Sequence, residues 1–298
     1  MEGACDPAAA LTGRAFGSAQ AAGEEWPTGP AQASDPDSVL DLAKGSGAFG
    51  NLALRWHYRS QHEALIAYSN AAFYGSRLIP VPGGGPEAGL ELFYGEGTYW
   101  SRTSRDNPDE AARVAQRVIH HHDTRPGLSL GVVTFSQAQA DAIETALGKA
   151  REQRPDLDRF FTTDRLRGFF VKSVETVQGD ERDVLILSVG YGPDENGQVR
   201  MDFGPLTRQG GWRRLNVAIT RARYRLEIVA SIRPGDIPDS VTSEGLKHLR
   251  RYLIYAAGAC PHIPMPVQSR RRRTHLDMSR RQAGLGAPMA KDPSGVFI

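Results

Sequence analysis

The stretch FVKSVETVQGDERDVLILSVGY, residues 170–191, contains two candidate strands joined by a short charged loop. Its first part, FVKSVETV, has the composition of a strand, and DVLILSVGY is an apolar run typical of the middle of a parallel sheet. A strand in that position must be covered on both faces. The run therefore predicts a sheet with helices on either side.

Helices and strands alternate around this stretch. Asn107 can cap the helix NPDEAARVAQRVIHH, Pro108 suits its first turn, and Glu110 completes a capping box. Ser136 and Gln139 form the same pattern ahead of a second helix. The alternation predicts a doubly wound α/β sheet, in which ligands bind at the carboxyl ends of the strands. Further helices are predicted at 61–74 and 243–255, and further strands at 91–100, 127–135 and 225–231.

The composition is that of an ordinary globular protein. Of the 298 residues, 40% are hydrophobic and 23% are charged, and the net charge of +2 excludes a general polycation. No run approaches the roughly 18 apolar residues of a membrane span, and the N-terminus lacks the pattern of a secretory signal. Cys5 and Cys260 provide neither a metal-ligand spacing nor a disulfide framework. We therefore expect no membrane partner, no metal site and a cytoplasmic location.

Changes in composition divide the chain into four segments. Residues 1–38 are rich in Ala, Gly, Pro and Ser and are expected to be a linker or disordered. The alternating pattern occupies 39–235, an appended helix is expected within 236–258, and 259–298 is a basic tail that we expect to be disordered. The arginines of this tail are interpreted either as a phosphate clamp or as a solvated end.

The segment RRLNVAITRARYRLEIV, residues 213–229, places five arginines in a predicted helix and the strand that follows. They are interpreted as a solvated helix face, a nucleic-acid contact or an anion clamp. Arg221 is the strongest candidate for a clamp, because it is predicted to lie on the helix, a rigid element beside a strand end that would aim its guanidinium at two phosphate oxygens. Arg223 and Arg225 are expected to take no part in such a site.

A second arginine stands where its charge opposes helix stability. Arg59 comes just before a predicted helix start, where its charge adds to the positive end of the helix dipole. That position is poor for the helix and suitable for holding an anion. Tyr58 beside it offers a flat face on which a base can stack.

The charged loop within 170–191 offers several polar groups for a ligand. Gly179 permits a tight turn and a close approach of backbone to ligand, and Glu181 can accept hydrogen bonds from ribose hydroxyls. Thr176 and Gln178 are placed to meet a phosphate. An equally supported alternative is a solvated loop between two buried strands.

Four segments together resemble the conserved motifs of superfamily 1 helicases, in the subgroup of the nonsense-mediated-decay helicase. LRWHYRSQHEALIAYSNAAFYGSRL resembles motif IV, and LGVVTFSQAQADAIE resembles the strand-plus-Thr motif that follows it. VETVQGDERDVLILS resembles motif V, and RRLNVAITRARYRLEIV resembles motif VI. The motifs occur in the family's order over about residues 50–232. The resemblance implies the second RecA-like domain, of the P-loop-NTPase type, of an ATP-driven translocase on single-stranded DNA or RNA.

The resemblance also implies a role for individual residues. Arg59 and Arg221 would contact the γ-phosphate of ATP, Arg221 as an arginine finger. The residues implied to bind the rest of the nucleotide are Tyr58, Gln178, Gly179 and Glu181. The residues implied to contact the nucleic-acid backbone are Thr134 and Thr176.

The sequence departs from the complete motor pattern in one respect. It contains no G-x-x-x-x-G-K-[ST] loop and no Asp-Glu pair after an apolar strand. We therefore expect ATP and Mg²⁺ to be shared with an N-terminal helicase half, in another chain or lost by truncation, and this chain to be inactive alone. The alternative is a non-catalytic nucleic-acid-binding or regulatory module that retains the helicase fold. The joint presence of Arg59, Glu181 and Arg221 favours the motor.

Overall fold

Strands and helices alternate along the part of the chain that the computed structural model describes, which comprises residues 39–50, 52–80, 89–162 and 168–258. The interpretations of 1–38 as a linker and of 259–298 as a disordered tail lie outside these residues. The strands are β1 (Trp56–His57), β2 (Ile79–Pro80), β3 (Gly89–Tyr94), β4 (Leu130–Thr134), β5 (Phe170–Ser173), β6 (Arg182–Ser188) and β7 (Ala222–Ala230). The α-helices are α1 (Val39–Gly45), α2 (Ala64–Phe73), α3 (Pro108–Thr124), α4 (Gln137–Gln153), α5 (Asp158–Thr162), α6 (Gly211–Ile219) and α7 (Glu244–Ala256).

The main sheet has five parallel strands in the order β3-β7-β6-β4-β5. The apolar run of the central sequence forms β6, which pairs with β4 on one side and β7 on the other. Every residue of β6 from Val184 to Ser188 is buried. The prediction of a strand in the middle of a parallel sheet is therefore confirmed. A separate two-stranded parallel ladder is formed by β1 and β2.

Both faces of the sheet are covered by helices. Leu185 and Leu187 point into a core that contains buried residues of α2, α6 and α7. Val184 and Ile186 point the other way, into a second core that contains buried residues of α3 and α4. This alternation follows from the two-residue period of a strand. The predicted fold class, a mainly parallel RecA-like α/β sheet with helices on both faces, is confirmed.

The two predicted helix caps are present, but each capping box has only one of its two hydrogen bonds. The Asn107 side chain accepts a hydrogen bond from the Glu110 amide at 3.0 Å, and the Ser136 hydroxyl accepts one from the Gln139 amide at 3.2 Å. The return bonds are absent, so the prediction of complete capping boxes is wrong. Gln139 instead uses its side-chain oxygen to accept a bond from the Asn107 amide at 2.8 Å, which links the starts of α3 and α4.

The Glu110 carboxylate joins α3 to the carboxyl ends of two strands. One oxygen accepts hydrogen bonds from the Ser188 hydroxyl and the Gly190 amide, both at 2.7 Å. The other accepts from the Ser231 amide at 3.0 Å and the Ser231 hydroxyl at 2.9 Å. A fully buried carboxylate with four donors thus replaces a local cap.

The closing helix α7, expected as an appendage, packs into the same core as α2 and α6. Its buried residues include Leu246, Leu249 and Leu253. The Tyr68 hydroxyl donates to the His248 carbonyl at 2.9 Å and lies 3.0 Å from His248 Nδ1. Among the described helices, none is long and apolar enough to cross a membrane.

Candidate functional site

The predicted site residues of the charged loop and the arginine segment meet at the amino edge of the main sheet. Glu181 immediately precedes β6, and Arg221 immediately precedes β7. The first residues of these two strands, Arg182 and Ala222, are paired in register. Glu181 and Arg221 therefore lie at the opposite edge from the carboxyl ends, where the sequence pattern had placed the ligand.

Arg59 reaches this edge from a distant part of the chain. Its Nε donates to Glu181 Oε2 at 2.7 Å, and one terminal nitrogen donates to the Thr220 carbonyl at 3.4 Å. The Gln61 amide donates to the Arg223 carbonyl at 2.6 Å, which fastens the segment before α2 to the start of β7. Residues that are more than 100 positions apart in sequence are thereby brought together.

Arg221 lies in the short connection between α6 and β7. The helix ends at Ile219, so the prediction that Arg221 is carried on the helix itself is wrong. Its Nε is buried and has no hydrogen-bond partner among the described residues. Burial, and then the charge of Arg59, lower the pKa of the Arg221 guanidinium, while the Glu181 carboxylate opposes that shift. A buried, unpaired donor costs free energy, which an anion bound here would recover.

The other four arginines of residues 213–229 have partners within the fold. Arg213 lies over the Trp212 ring at 5.4 Å, and Arg214 lies 3.8 Å from the Glu175 carboxylate. The remaining contacts are Arg223 to Asp183 at 3.3 Å, Arg225 to Glu227 at 2.9 Å, and Arg225 to Glu91. Arg214, Arg223 and Arg225 thus pair with carboxylates of the fold, whereas the Nε of Arg221 is buried without a partner among the described residues.

The other predicted nucleotide contacts surround the arginines less closely. Gly179 has a φ of +94°, and a Cβ built at this position would meet no atom within 4 Å. Tyr58 is 76% exposed, so its ring is free to stack. Gln178 lines a cleft of about 780 Å³ together with Trp212 and other residues. That cleft is not lined by Arg59, Glu181 or Arg221, so Gln178 lies outside the arginine site.

The two predicted nucleic-acid contacts lie towards the carboxyl edge. Thr134 ends β4 and is buried, and its hydroxyl donates to the Ser136 carbonyl at 2.7 Å. Thr176 is exposed, and its hydroxyl donates to the Ser173 carbonyl at 3.1 Å. Their contact with a nucleic acid stays a prediction. The structure favours Thr176, because Thr176 is exposed whereas Thr134 is buried.

Arg182 is a positioning residue that the sequence reasoning missed. Its guanidinium donates to the Gly168 carbonyl at 3.0 and 2.8 Å and to the Glu181 carbonyl at 2.7 Å. These bonds hold the backbone on which the Glu181 side chain is mounted. The available signal was a second charged residue, next to Asp183, directly before the apolar run VLIL, where a charge close to the core needs a partner.

The site fits the phosphate part of a nucleotide better than a metal ion. Two guanidinium groups and one carboxylate leave a local excess of one positive charge, which suits an anion. Over the described ranges, no group of three or more His, Cys, Asp or Glu side chains is placed to hold a metal ion. The metal that accompanies a nucleotide would therefore need ligands beyond these residues.

Sequence comparisons agree with a helicase-like domain. A family model described as an AAA domain matches residues 94–233. The chain is 35% identical over 243 residues to an uncharacterized ATP-dependent helicase of Mycoplasma genitalium, covering 78% of this chain and 21% of the relative. It is 36% identical over 239 residues to the homologue in Mycoplasma pneumoniae, with the same coverage of 78% and 21%. The chain therefore spans about a fifth of the length of these curated relatives.

A solved structure with similarity to this chain is the C-terminal domain of a possible DNA helicase from Lactobacillus plantarum. It has 16% sequence identity and a TM-score of 0.35, and the alignment covers 58% of this chain and 86% of that chain. The chain is thus similar, over most of its length, to a segment of proteins described as ATP-dependent helicases.

Proposed function

We propose that this chain is the C-terminal motor domain of an ATP-dependent helicase or translocase of superfamily 1. The observation that carries the proposal is the buried, unpartnered Nε of Arg221 beside the Arg59–Glu181 pair. Structural arginines normally have hydrogen-bond partners, as Arg223 and Arg225 have in the Asp183 and Glu227 carboxylates. A phosphate group at this edge satisfies Arg221 and neutralises the excess positive charge.

Arg221 acts in this proposal as an arginine finger. Phosphoryl transfer spreads negative charge over the γ-phosphate oxygens, and an arginine supplied from a neighbouring domain stabilises that charge. Arg221 is suited to the task because its position between α6 and β7 restricts the guanidinium. Its desolvated surroundings also strengthen its interaction with an anion.

Arg59 and Glu181 exchange partners when the nucleotide is bound. Arg59 leaves the Glu181 carboxylate, which it contacts at 2.7 Å, and turns to the phosphate. Glu181 then accepts hydrogen bonds from ribose hydroxyls, with Gly179 and Tyr58 nearby for the phosphate and the base. Thr176, exposed towards the carboxyl edge, contributes to the contact with single-stranded DNA or RNA.

The rest of the ATPase site comes from a first motor half. The printed sequence contains no phosphate-binding G-x-x-x-x-G-K-[ST] loop and no Asp-Glu pair for Mg²⁺. Such a half supplies both, whether it is joined to this chain or separate from it. We expect this chain by itself to hydrolyse no ATP. Arg221-dependent ATP turnover by the purified chain would contradict that expectation.

The test measures nucleic-acid-stimulated ATPase activity of this chain together with the first motor half encoded in the same or a neighbouring reading frame. Arg221→Ala is expected to lower turnover by about 10³-fold or more. Arg223→Ala is the matched control, because Arg223 lies two residues away and pairs with Asp183. We expect it to change turnover by less than about threefold.

An Arg221→Ala variant that keeps its ATPase activity would contradict the proposal. If the Arg221→Ala variant retains a rate close to that of the unaltered protein, Arg221 is no finger and the motor proposal fails. The non-catalytic nucleic-acid-binding module then becomes the better account of the fold. A variant that loses activity with an unchanged unfolding midpoint separates catalysis from stability.

A further inference from the structure

The carboxyl edge of the main sheet contains a cleft that the proposed motor chemistry does not use. It has a volume of about 520 Å³, and its lining includes Tyr99, Arg105, Ser136, Tyr191, Asp202 and Arg208. We call this the switch-point cleft. None of its lining residues belongs to the Arg59–Glu181–Arg221 site.

The cleft lies where the direction of the chain reverses across the sheet. After β4 the chain passes through α4 to β5, on one side, and after β6 it passes through α6 to β7, on the other. The connections that follow the neighbouring strands β4 and β6 therefore lead away from each other at the carboxyl edge. Ser136 comes from the first connection, and Tyr191 and Arg208 come from the second. Such a crevice is the usual ligand position in an open parallel α/β sheet.

The charge of the cleft favours a phosphate. Arg105 and Arg208 are exposed, and neither guanidinium has a hydrogen-bond or ion-pair partner among the described residues. Both are close enough to affect the ionisation of Tyr191. The start of the 17-residue helix α4, capped by Ser136, adds the positive end of a helix dipole to the same wall.

The other walls suit a nucleoside. Tyr191 is stacked on Phe203 with ring centroids 4.5 Å apart, and Tyr99 packs against Tyr191 at 5.3 Å. Tyr99 is only partly buried and offers an aromatic surface to the cleft. Asp202 is exposed, and its carboxylate can accept hydrogen bonds from a sugar hydroxyl or a base amino group. An aromatic wall, a carboxylate and two cations in one cleft match the parts of a nucleoside monophosphate.

We propose that the switch-point cleft binds one nucleoside monophosphate unit, either as a free nucleotide or as a unit of a nucleic-acid strand. The phosphate binds Arg105 and Arg208, and the base lies against Tyr99. The proposal does not depend on the motor function, because it rests on residues at the opposite edge of the sheet.

The test titrates the full chain with AMP and follows binding by calorimetry. The double variant Arg105→Gln/Arg208→Gln is expected to weaken AMP binding by at least about tenfold, since it removes both charged donors. Arg102→Gln is the matched control, because Arg102 is an exposed arginine of the same loop outside the cleft. We expect it to change affinity by less than about twofold.

Two further variants separate the parts of the proposal. Tyr99→Leu keeps the charges and removes the ring, so it should weaken AMP binding while leaving that of inorganic phosphate unchanged. In Arg221→Ala, AMP binding should persist. If Arg221→Ala abolishes it, the nucleotide binds at the amino edge and the cleft proposal fails, with the motor proposal untouched.

Competition with a short oligothymidylate distinguishes a free nucleotide from a nucleic-acid strand as the natural ligand. Displacement of AMP by the oligonucleotide, or oligonucleotide binding that depends on Arg105 and Arg208, supports a strand as the natural ligand. Binding of AMP that the oligonucleotide does not affect supports a free nucleotide. The proposal is overturned if inorganic phosphate competes as well as AMP, if the double variant binds normally, or if neither probe binds.

Discussion

Among the described residues, the Nε of Arg221 has no hydrogen-bond partner, and the nearby carboxylate of Glu181 is paired with Arg59. Glu181 is the carboxylate that Arg59 contacts, and the contact at 2.7 Å uses its Oε2. An arginine does not lose its proton at any ordinary pH, so the charge of Arg221 persists although burial lowers its pKa. An anion bound at this site would offset the free-energy cost of burying that charge, which agrees with the phosphate contact proposed for Arg221.

Gly179 allows a direct test of backbone conformation at the same site. Its φ of +94° is unfavourable for an L side chain, although an added Cβ would meet no atom within 4 Å. Gly179→Ala is expected to lower the free energy of unfolding by about 1–2 kcal/mol. The measurement is the urea midpoint of unfolding.

The control for this substitution is a glycine with the same open space and no such φ. Gly127 also has no atom within 4 Å of a built Cβ, and its φ lies outside the left-handed region. Gly127→Ala should change the free energy of unfolding by less than about 0.5 kcal/mol. Equal effects at the two glycines would show that the backbone angle of Gly179 is not the source of strain.

At the level of elements, polar side chains at helix starts connect helices to strands. Glu110 and Gln139 each stand three residues after a cap, yet they bond to Ser188, Ser231 and Asn107. The consequence is that α3, α4, β6 and β7 are joined by hydrogen bonds at the carboxyl edge. The same edge forms the wall of the switch-point cleft at Ser136.

Glu110→Gln tests whether these bonds need a carboxylate. Each oxygen of Glu110 accepts from one backbone amide and one hydroxyl, and a hydroxyl can reorient while an amide cannot. The glutamine NH₂ must therefore face an N–H donor in either orientation. We expect a loss of about 2–3 kcal/mol in the free energy of unfolding, measured by denaturant titration.

Asp109→Asn provides the control for Glu110→Gln. Asp109 lies in the same helical turn but is exposed, and its contact to the Thr98 amide is long, at 3.4 Å. The change in the free energy of unfolding should stay below about 0.5 kcal/mol. Similar losses in the two variants would mean that helix-dipole effects, and not the buried bonds, explain the result.

These elements show what the sequence could and could not predict. The periods of DVLILSVGY and of the helix after Asn107 placed strands and helices correctly, because burial imposes those periods. The partners of Glu110 depend on tertiary packing, which a local capping rule ignores. The sequence also did not show at which edge of the sheet Glu181 lies. The loop between β5 and β6 crosses back along the sheet without a helix, so its end lies far from its start.

For the whole molecule, buried neutral histidines predict a loss of stability in acid. Burial, and then the charge of Arg251, lower the pKa of His248 to about 4. Burial also lowers the pKa of His57 and of His121. The unfolded chain binds these protons at a higher pH than the folded chain does. Stability from this source is therefore complete above about pH 6.5 and is lost as the pH falls towards 4.

His248→Gln isolates one part of this dependence. The variant lacks the imidazole that the fold keeps neutral. The unaltered protein should therefore lose free energy of unfolding relative to the variant as the pH is lowered from 6.5 to 4. Denaturant unfolding at several pH values measures the difference. Parallel curves over that range would show that His248 titrates alike in the folded and unfolded chains.

The two candidate sites stand at opposite ends of β6. That strand has seven residues, from Arg182 to Ser188, and so spans about 20 Å. A sheet covered on both faces rotates as a stiff body. A turn of about 10° about the amino edge would carry the carboxyl edge through about 3.5 Å. The length of β6 thus sets the ratio between a rotation at the amino edge, where we propose that phosphate binds, and the displacement that it causes at the carboxyl edge, where we propose that a nucleotide unit binds.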